Sequence, residues 1–351
     1  MTGRTLGAAV IGLGQVGPVH ARVLGELPGV RLVNVCDLVE ERAEQAAERF
    51  GAERWSTDYS ALLEDDEIDV VFVCTPDHLH REPCVAVAQA GKHLFVEKPL
   101  ASTLEDADAI IGAAEGAGVV FTVGHVFRFD LNFAKIKEAA SEPEFGEPLS
   151  CYGRQSTTAA DAHYLGGRVG INFYASVHSM DAMGWFLEAR PTSVHAEAVK
   201  DRIYEEVGKP DGVWTLIRFE GGKVGCDEAF WCLPAPLGEW DKPAPWASAF
   251  TMGDCRLELI GSKSAINLEY PPTSLRLLDP DGWKFPDTTM APLLHGSLAG
   301  AFREQIVHFL RCVENGTAPL VRPAEARQAM ELAIAAELSV ERGETVELPL
   351  T

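Results

Sequence analysis

The sequence predicts an α/β protein with two domains: a parallel sheet covered by helices over residues 1–123, and an α+β domain with a mostly antiparallel sheet over residues 124–351. Three observations predict this class. Short apolar runs alternate with helical segments in the first part. Strand pairs followed by two long helices fill the second part. The chain has 351 residues, which is more than one ordinary domain contains.

The first part alternates strands and helices from its beginning. Residues 68–74 form a continuous Val-rich run, which is typical of a parallel strand buried on both faces. Pro18 lies in the first turn of the first helix, and Ser102 or Thr103 is expected to cap a later one. Strands are predicted over 7–11, 31–36, 68–74, 93–97 and 119–123, and helices over 18–27, 40–50, 82–90 and 104–116.

Turn signals divide the second part into strand pairs. Gly221-Gly222 is a two-residue hairpin signal between strands predicted over 214–220 and 223–231. Residues 233–253 contain four prolines and two tryptophans, which favours a long loop. Further strands are predicted over 256–260, 264–269, 275–278 and 283–285, and helices over 297–314 and 323–343.

The composition disfavours several classes of function. Lys and Arg number 30 and Asp and Glu number 52, and the net charge of −22 argues against nucleic acids and anionic membrane surfaces as partners. No apolar stretch approaches the roughly 18 residues needed to span a bilayer. The eight cysteines are scattered, which favours reduced thiols in a cytoplasmic protein. The histidines, among them His163 and His195, show no ligand-like spacing, so no metal is assigned.

A glycine-rich turn follows the first predicted strand. It reads Gly12-Leu13-Gly14-Gln15-Val16-Gly17, the G-x-G-x-x-G pattern, and it opens a predicted helix. Gly12 permits a tight turn, Gly14 lets the backbone approach a pyrophosphate, and Gly17 allows close packing of helix on strand. The free N–H groups of the helix N-terminus attract phosphates. We therefore expect this turn to bind a dinucleotide.

Asp37 ends the second predicted strand, 20 residues after Gly17. A carboxylate at this point accepts hydrogen bonds from the ribose hydroxyls of NAD and repels the 2′-phosphate of NADP. The next residue is Leu38 rather than an arginine that would offset the repulsion. The sequence therefore predicts NAD rather than NADP as the cofactor.

Two further segments carry a resemblance to a known family. One is Cys74-Thr75-Pro76-Asp77-His78-Leu79-His80, after a buried strand, and the other is the Glu97-Lys98-Pro99 segment, one helix later. With the glycine turn and residues 124–129, they resemble the glucose–fructose oxidoreductase and inositol dehydrogenase family (Gfo/Idh/MocA) over most of the chain. The resemblance implies an N-terminal Rossmann domain and a C-terminal domain with an open sheet. It also implies a homodimer or homotetramer formed through that sheet.

The resemblance also implies roles for individual residues. It implies sugar, cyclitol or related polyol substrates, and a cis Lys98–Pro99 peptide bond. Besides the turn at residues 12–17 and the Asp37-Leu38 pair, the implied NAD contacts are Cys74, Thr75, Pro76, His80, Glu97, Lys98 and Arg128.

Lys98 is well placed for chemistry by its position alone. It follows a parallel strand at the carboxyl edge of the sheet, where ligands of open α/β sheets bind. Next to a positively charged nicotinamide and shielded from water, a lysine has a lowered pKa. It can then donate a hydrogen bond to a substrate hydroxyl or take part in proton transfer, so we expect Lys98 to be catalytic.

The second catalytic cluster departs from the family pattern Gly-Gly-Gly-x-x-x-Asp-x-x-x-His-x-x-Asp. Aligning residues 168–181 on His178 and Asp181 puts Tyr174 where the family has its first aspartate. Residues 174 and 178 share one face of a helix, so His178 is the expected general base and Asp181 is interpreted as structural. Tyr174 either fills space or relays the proton as a phenolate, and its reference pKa of about 10 favours ketone reduction.

These residues predict an NAD-dependent oxidoreductase that transfers hydride between nicotinamide and a hydroxyl or keto carbon of a sugar or cyclitol. Two alternatives stay open at this point. One is a glycosidase or epimerase that keeps NAD bound and oxidises its substrate transiently, and the other is a non-catalytic NAD-binding protein. The sequence does not fix the substrate, the direction of the reaction or the role of residues 233–253.

Overall fold

The computed structural model describes residues 5–233, 254–270, 275, 277–279, 282–284 and 287–350. These residues divide into two compact units. The first unit joins residues 5–129 to residues 289–327, and the second joins the described part of 130–288 to residues 328–350. The sequence-based division at residue 123 assigned 289–327 to the second domain. Residues 234–253 of the loop predicted over 233–253 lie outside the described residues.

Among the described residues of the first unit, six parallel strands form one sheet in the order β3-β2-β1-β4-β5-β6. This is the strand order of a Rossmann sheet, and it confirms the predicted fold of the N-terminal part. Its strands are β1 Leu6–Ile11, β2 Val30–Cys36, β3 Arg54–Ser56, β4 Val70–Val73, β5 His93–Val96 and β6 Phe121–Val123.

The helices that connect these strands begin and end at local signals. Gly51 ends α2 in the left-handed conformation, with φ of 75°. Thr103 caps α5, because its side chain accepts a hydrogen bond from the Asp106 N–H. The helices of this unit before residue 129 are α1 Gly17–Glu26, α2 Glu40–Phe50, α3 Ser60–Leu63, α4 Arg81–Gln89 and α5 Leu104–Ala117.

The carboxyl ends of the parallel strands lie in register. Ile11 lies opposite Cys36 and Val73, and Val96 lies opposite Val73 and Val123. The residues that follow these strands are therefore brought to one edge of the sheet. They are Gly12, Asp37, Cys74, Glu97 and Gly124.

The second unit contains a seven-stranded sheet among its described residues, in the order β12-β11-β7-β10-β9-β8-β17. Neighbouring strands are antiparallel except for β7 and β10, which confirms the prediction of a mostly antiparallel sheet. The strands are β7 Pro148–Thr158, β8 Pro191–Val199, β9 Gly212–Phe219, β10 Val224–Leu233, β11 Asp254–Gly261, β12 Ala265–Tyr270 and β17 Val346–Glu347.

Helix α8 lies close to this sheet because two glycines face it. A Cβ atom on Gly153 would lie 3.0 Å from Cβ of Ser179, and one on Gly225 would lie 2.9 Å from Sδ of Met183. The helices of this part are α6 Leu131–Ala140, α7 Ala159–Leu165, α8 Val177–Leu187 and α9 Arg202–Val207.

Two details of the later elements differ from the sequence prediction. The helix predicted from residue 297 begins at Ala301, because Gly300 has φ of 81° and the preceding Ser297–Leu298 strand pairs with Leu293–Leu294. The loop at Gly221-Gly222 has four residues rather than two, since both glycines adopt positive φ in a turn between Phe219 and Val224. The remaining elements are β13 Leu277–Asp279, β14 Gly282–Lys284, β15 Leu293–Leu294, β16 Ser297–Leu298, α10 Ala301–Asn315 and α11 Pro323–Arg342.

In the part of the chain that the structure describes, no helix combines the length and the apolar character needed to cross a membrane.

Asp227 is fully buried on β10, on the face of the sheet that α8 covers. Burial raises the pKa of its carboxyl group to about 7, although the nearby hydroxyl groups of Ser176 and Ser179 favour the charged form. The neighbouring carboxylate of Glu228 raises it further. The charged form of Asp227 is therefore a cost to the folded state.

We expect Asp227→Asn to remove a pH-dependent cost of folding. The pKa of this carboxyl group is 3.8 in the unfolded chain and about 7 in the folded protein. Its contribution to folding stability is therefore fully present below pH 3.8 and is lost as the pH rises through about 7. The stability of the variant relative to the wild type should increase by about 2–3 kcal/mol between pH 5 and pH 8. Urea unfolding followed by circular dichroism at several pH values in that range measures this difference.

Asp211→Asn is the matched control. Burial alone would raise the pKa of Asp211, but the backbone N–H groups of Ile203, Asp201 and Tyr204 lower it, so this carboxyl group is ionised in both states above pH 5. Its substitution should cost the same stability across the range. A stability difference for Asp227→Asn that is equally constant with pH would contradict the prediction.

Candidate active site

The glycine-rich turn has the geometry that its sequence predicts. Gly12 adopts φ of 92°, and a Cβ atom there would lie 2.7 Å from the Thr75 nitrogen. A Cβ atom on Gly17 would lie 1.9 Å from the Gly12 carbonyl oxygen, so α1 can approach this close only because residue 17 is glycine. Gly14 is exposed, and no atom of the described residues lies within 4 Å of where its Cβ would be. This open space fits a pyrophosphate group.

The N-terminus of α1 is suited to an anion. No side chain caps it, its first turn contains no acidic residue, and Pro18 lies at its start. Its N–H groups and the positive end of its dipole are therefore available to phosphate oxygens. Gly12, Leu13, Gly14, Gln15, Val16 and Gly17 are thus brought together in an arrangement that fits the phosphates of a dinucleotide.

Asp37 lies beside this turn. Its Oδ2 accepts a hydrogen bond from the Leu13 N–H at 2.8 Å, and its Oδ1 accepts one from the Val39 N–H at 2.9 Å. Each oxygen has further acceptor capacity for a ribose hydroxyl. Leu38 is 86% exposed and adds no charge. Sequence reasoning missed Arg42, whose guanidinium Nη1 lies 3.9 Å from Asp37 Oδ1.

His80 is a buried residue that contacts two of the loops at this edge of the sheet. Its Nε2 lies 2.7 Å from the Thr75 carbonyl oxygen and its Nδ1 lies 3.1 Å from the Leu100 carbonyl oxygen. The ring is 1% exposed, and burial lowers the pKa of the imidazole. His80 therefore joins the loop after β4 to the loop after β5, while Cys74 is half-buried and Pro76 is exposed at the same edge.

Glu97 is also buried, and it holds Lys98. Its Oε1 lies 2.6 Å from Nε2 of His20 on α1, and its Oε2 accepts a hydrogen bond from the Lys98 N–H at 3.2 Å. A Cβ atom on Gly124 would lie 2.9 Å from the Glu97 carboxylate, so a larger residue there would displace this side chain. Glu97 thus connects α1 to the backbone of the candidate catalytic lysine. Sequence reasoning did not identify His20.

Lys98 is half-buried directly after β5, and the Lys98–Pro99 peptide bond is cis, as predicted. Arg128 is 3% exposed, and its Nη1 donates to Oε2 of Glu325 at 2.9 Å and to the Leu320 carbonyl at 3.3 Å. These contacts favour an anchoring role for Arg128 over direct contact with a cofactor.

In the second unit, Tyr174 and His178 lie on one continuous helical segment. Residues 172–176 form a π-helical turn that leads directly into α8, and His178 lies in the first turn of α8 at 9% exposure. Such turns are frequent at functional sites, and the sequence pattern did not predict this one. Asp181, one turn later, is buried.

Tyr174 is held by two neighbours from other elements. The carboxylate of Asp161 on α7 lies near its hydroxyl group, and its ring centroid lies 5.2 Å from that of Trp231 on β10. Burial and the nearby carboxylate raise the pKa of Tyr174 well above 10. The phenol therefore stays protonated, which argues against the phenolate relay. Asp161 is a buried residue of this cluster that sequence reasoning missed.

Comparison with known proteins covers most of the chain. Residues 6–125 match an oxidoreductase family with an NAD-binding Rossmann fold, and residues 137–348 match the C-terminal alpha/beta domain of the same family. The chain is 32% identical over 345 residues to scyllo-inositol 2-dehydrogenase (NAD(+)) of Bacillus subtilis, covering 97% of this chain and 95% of that protein. It is 28% identical over 344 residues to a myo-inositol 2-dehydrogenase of Thermotoga maritima, covering 97% of each.

A crystal structure of a probable dehydrogenase from Thermotoga maritima has a TM-score of 0.81 and 28% sequence identity, covering 97% of this chain and 98% of that one. The Rossmann sheet, the open phosphate-binding turn and Asp37 define the class of protein, an NAD-dependent oxidoreductase. The chain belongs to the Gfo/Idh/MocA family of oxidoreductases, which confirms the resemblance inferred from its motifs.

We expect Gly14→Ala to weaken NAD binding about tenfold, which corresponds to about 1.4 kcal/mol. The added methyl group meets no protein atom, so thermal stability should not change, but it occupies the space where the backbone approaches the pyrophosphate. Isothermal titration with NAD and a thermal melt measure the two quantities.

Gly112→Ala is the control, because this helical glycine on α5 also has no atom within 4 Å of a Cβ position. It should leave the dissociation constant for NAD unchanged. Equal affinity of the Gly14 variant and the wild type would contradict the assignment of the turn.

Proposed function

We propose that this chain is an NAD-dependent dehydrogenase of cyclitols or closely related polyols, working between a hydroxyl and a keto carbon. The observation that carries the chemistry is the set of groups at one edge of the parallel sheet: an open phosphate-binding turn, Asp37 and Lys98. The substrate class is supported by the relative from Bacillus subtilis that matches over nearly the whole chain and is named for scyllo-inositol.

Each residue has a distinct task in this proposal. Asp37 accepts hydrogen bonds from the ribose hydroxyls, and residues 12–17 hold the phosphates. When bound, NAD supplies the nicotinamide carbon that exchanges hydride with the substrate. Lys98 donates a hydrogen bond to the reacting oxygen, and His178 takes or returns the hydroxyl proton. Tyr174, protonated and close to Asp161, orients neighbouring groups and does not act as a base.

We propose NAD rather than NADP because the Asp37 carboxylate is nine-tenths buried beside the turn, whereas Arg42 is 59% exposed on its other side. A solvated guanidinium 3.9 Å away does not cancel the repulsion between a shielded carboxylate and a 2′-phosphate. A lower dissociation constant for NADP(H) than for NAD(H) at matched salt would overturn this choice.

The direct test is NADH absorbance after mixing the protein with NAD and a panel of inositol stereoisomers, aldoses and glycosides. Lys98→Met and His178→Gln should each lower kcat by about 10²-fold or more, because each removes a group that touches the reacting oxygen. Wild-type turnover by either variant would contradict its assigned role.

Lys135→Met is the matched control, since its side chain lies on the surface of the second unit. It should turn over like the wild type. A substrate altered without net NADH would instead favour the transient-oxidation alternative, and analysis of the product from the same tubes distinguishes the two.

We also propose that the chain forms a homo-oligomer through the sheet face opposite α8, and that it works in the cytoplasm. Thr215 is buried on the α8 side, so Trp214 and Leu216 point to the other face, where they are 44% and 43% exposed. Ile260 on β11 adds a further exposed side chain at 40%. Exposed apolar side chains on one sheet face favour a self-complementary interface. The cytoplasmic setting is supported by eight free cysteines.

Leu216→Glu should convert the oligomer to a smaller species, because it places a charge among apolar side chains of the proposed interface. Light scattering after size exclusion measures the mass. Leu131→Glu, at an exposed position on α6, is the control that should keep the wild-type mass. A wild-type chain that is monomeric at micromolar concentration would contradict the proposal.

A further inference from the structure

Asp161 is a buried carboxylate with one oxygen fixed by threonines. It lies on α7 and is 1% exposed. Its Oδ2 accepts hydrogen bonds from the hydroxyls of Thr157 at 2.7 Å and Thr158 at 3.0 Å. The Asp161 N–H donates to the Thr158 hydroxyl at 3.3 Å, so the carboxylate has little freedom to rotate.

The other oxygen of this carboxylate, Oδ1, accepts no hydrogen bond from the described residues. Among the described residues, Asp161 Oδ1 is buried without a hydrogen-bond partner, and so is the indole Nε1 of Trp231. Trp231 is 3% exposed and lies opposite Thr157 in the β7–β10 pair. A buried polar atom left unpaired costs roughly 1–3 kcal/mol, and more when it is charged. The Asp161 oxygen is an acceptor and the Trp231 N–H is a donor, and both residues lie near Tyr174. Unpaired groups of both kinds at one place indicate a site for a ligand that carries hydroxyl groups.

The sequence motif around residue 174 lacks a carboxylate that the family pattern contains. Tyr174 stands where the family pattern has its first aspartate, so the helical segment of His178 brings no carboxylate at that position. The carboxylate of Asp161 lies near the Tyr174 hydroxyl group, so α7 brings a carboxylate to the neighbourhood of position 174.

We propose that Asp161 Oδ1 and Trp231 Nε1 bind hydroxyl groups of the substrate, and that Asp161 replaces the carboxylate missing at position 174. This rests on the proposed function and names contacts within it. A carboxylate accepts hydrogen bonds and repels anions, so the preferred ligand is an uncharged polyol whose hydroxyl donates at this point. A deoxy analogue that lacks this hydroxyl leaves the oxygen unpaired and binds poorly.

The test compares Asp161→Asn with the wild type, using the cyclitol on which the wild type is most active. The amide keeps the size and can still accept from the threonines, but it presents a donor where the substrate needs an acceptor. We expect KM for the cyclitol to rise at least about tenfold while the dissociation constant for NAD stays unchanged. The thermal shift that the cyclitol produces in the presence of NAD should be lost.

Asp211→Asn serves as the control for replacing a carboxylate in the same unit, and it should keep the wild-type KM. Trp231→Phe keeps an aromatic ring and removes only the N–H, so it should raise KM several-fold and gives a second measurement if Asp161→Asn does not fold.

The outcomes separate the two proposals. A wild-type chain inert toward every cyclitol overturns the proposed function, and with it the substrate contact. An active wild type with unchanged KM in Asp161→Asn or, where that variant does not fold, in Trp231→Phe overturns the contact alone. A raised KM together with weakened NAD binding shows general distortion and also counts against it.

Discussion

The close approach of α1 to the end of β1 is the constraint on which the nucleotide site depends. A side chain at Gly17 would collide with the Gly12 carbonyl, so the helix reaches this distance only with glycine there. At this distance His20, on the next turn of α1, meets Glu97 at the end of β5. Glu97 in turn bonds to the backbone N–H of Lys98. The phosphate-binding turn and the lysine are therefore parts of one packed assembly, and a shift of the helix alters both.

The first unit follows closely from local sequence signals. The apolar run that contains β4, the glycine turn and the Thr103 cap each act within a few residues, so a single sequence exposes them. The register of parallel strands then brings Asp37 and Lys98 to the same edge without further information. The predicted start of α10 was wrong, because apolar residues continue through Ser297–Leu298. Gly300 prevents the helix from beginning there through its backbone conformation, which the apolar pattern does not reveal.

The parts that could not be predicted depend on residues far apart in the chain. His20 and Glu97 are separated by 77 positions, and no local sequence pattern indicates that they are in contact. The π-helical turn before α8 reflects how residues 172–176 fit against β7 and β10, not a local preference. Tyr174 could be recognised as a departure from the family motif, but its partner Asp161 comes from α7, whose position relative to α8 is set by tertiary packing.

Two buried carboxylates of the second unit differ in what surrounds them, and this separates their roles. Asp227 lies under α8 near thiol groups, and the nearby hydroxyl groups only partly offset its burial, so its pKa rises to about 7. Asp161 accepts hydrogen bonds from two threonine hydroxyl groups on Oδ2, and among the described residues its Oδ1 has no hydrogen-bond partner. Burial under α8 leaves Asp227 within the packed interior, whereas the unpartnered acceptor of Asp161 suits recognition of a polyol hydroxyl group.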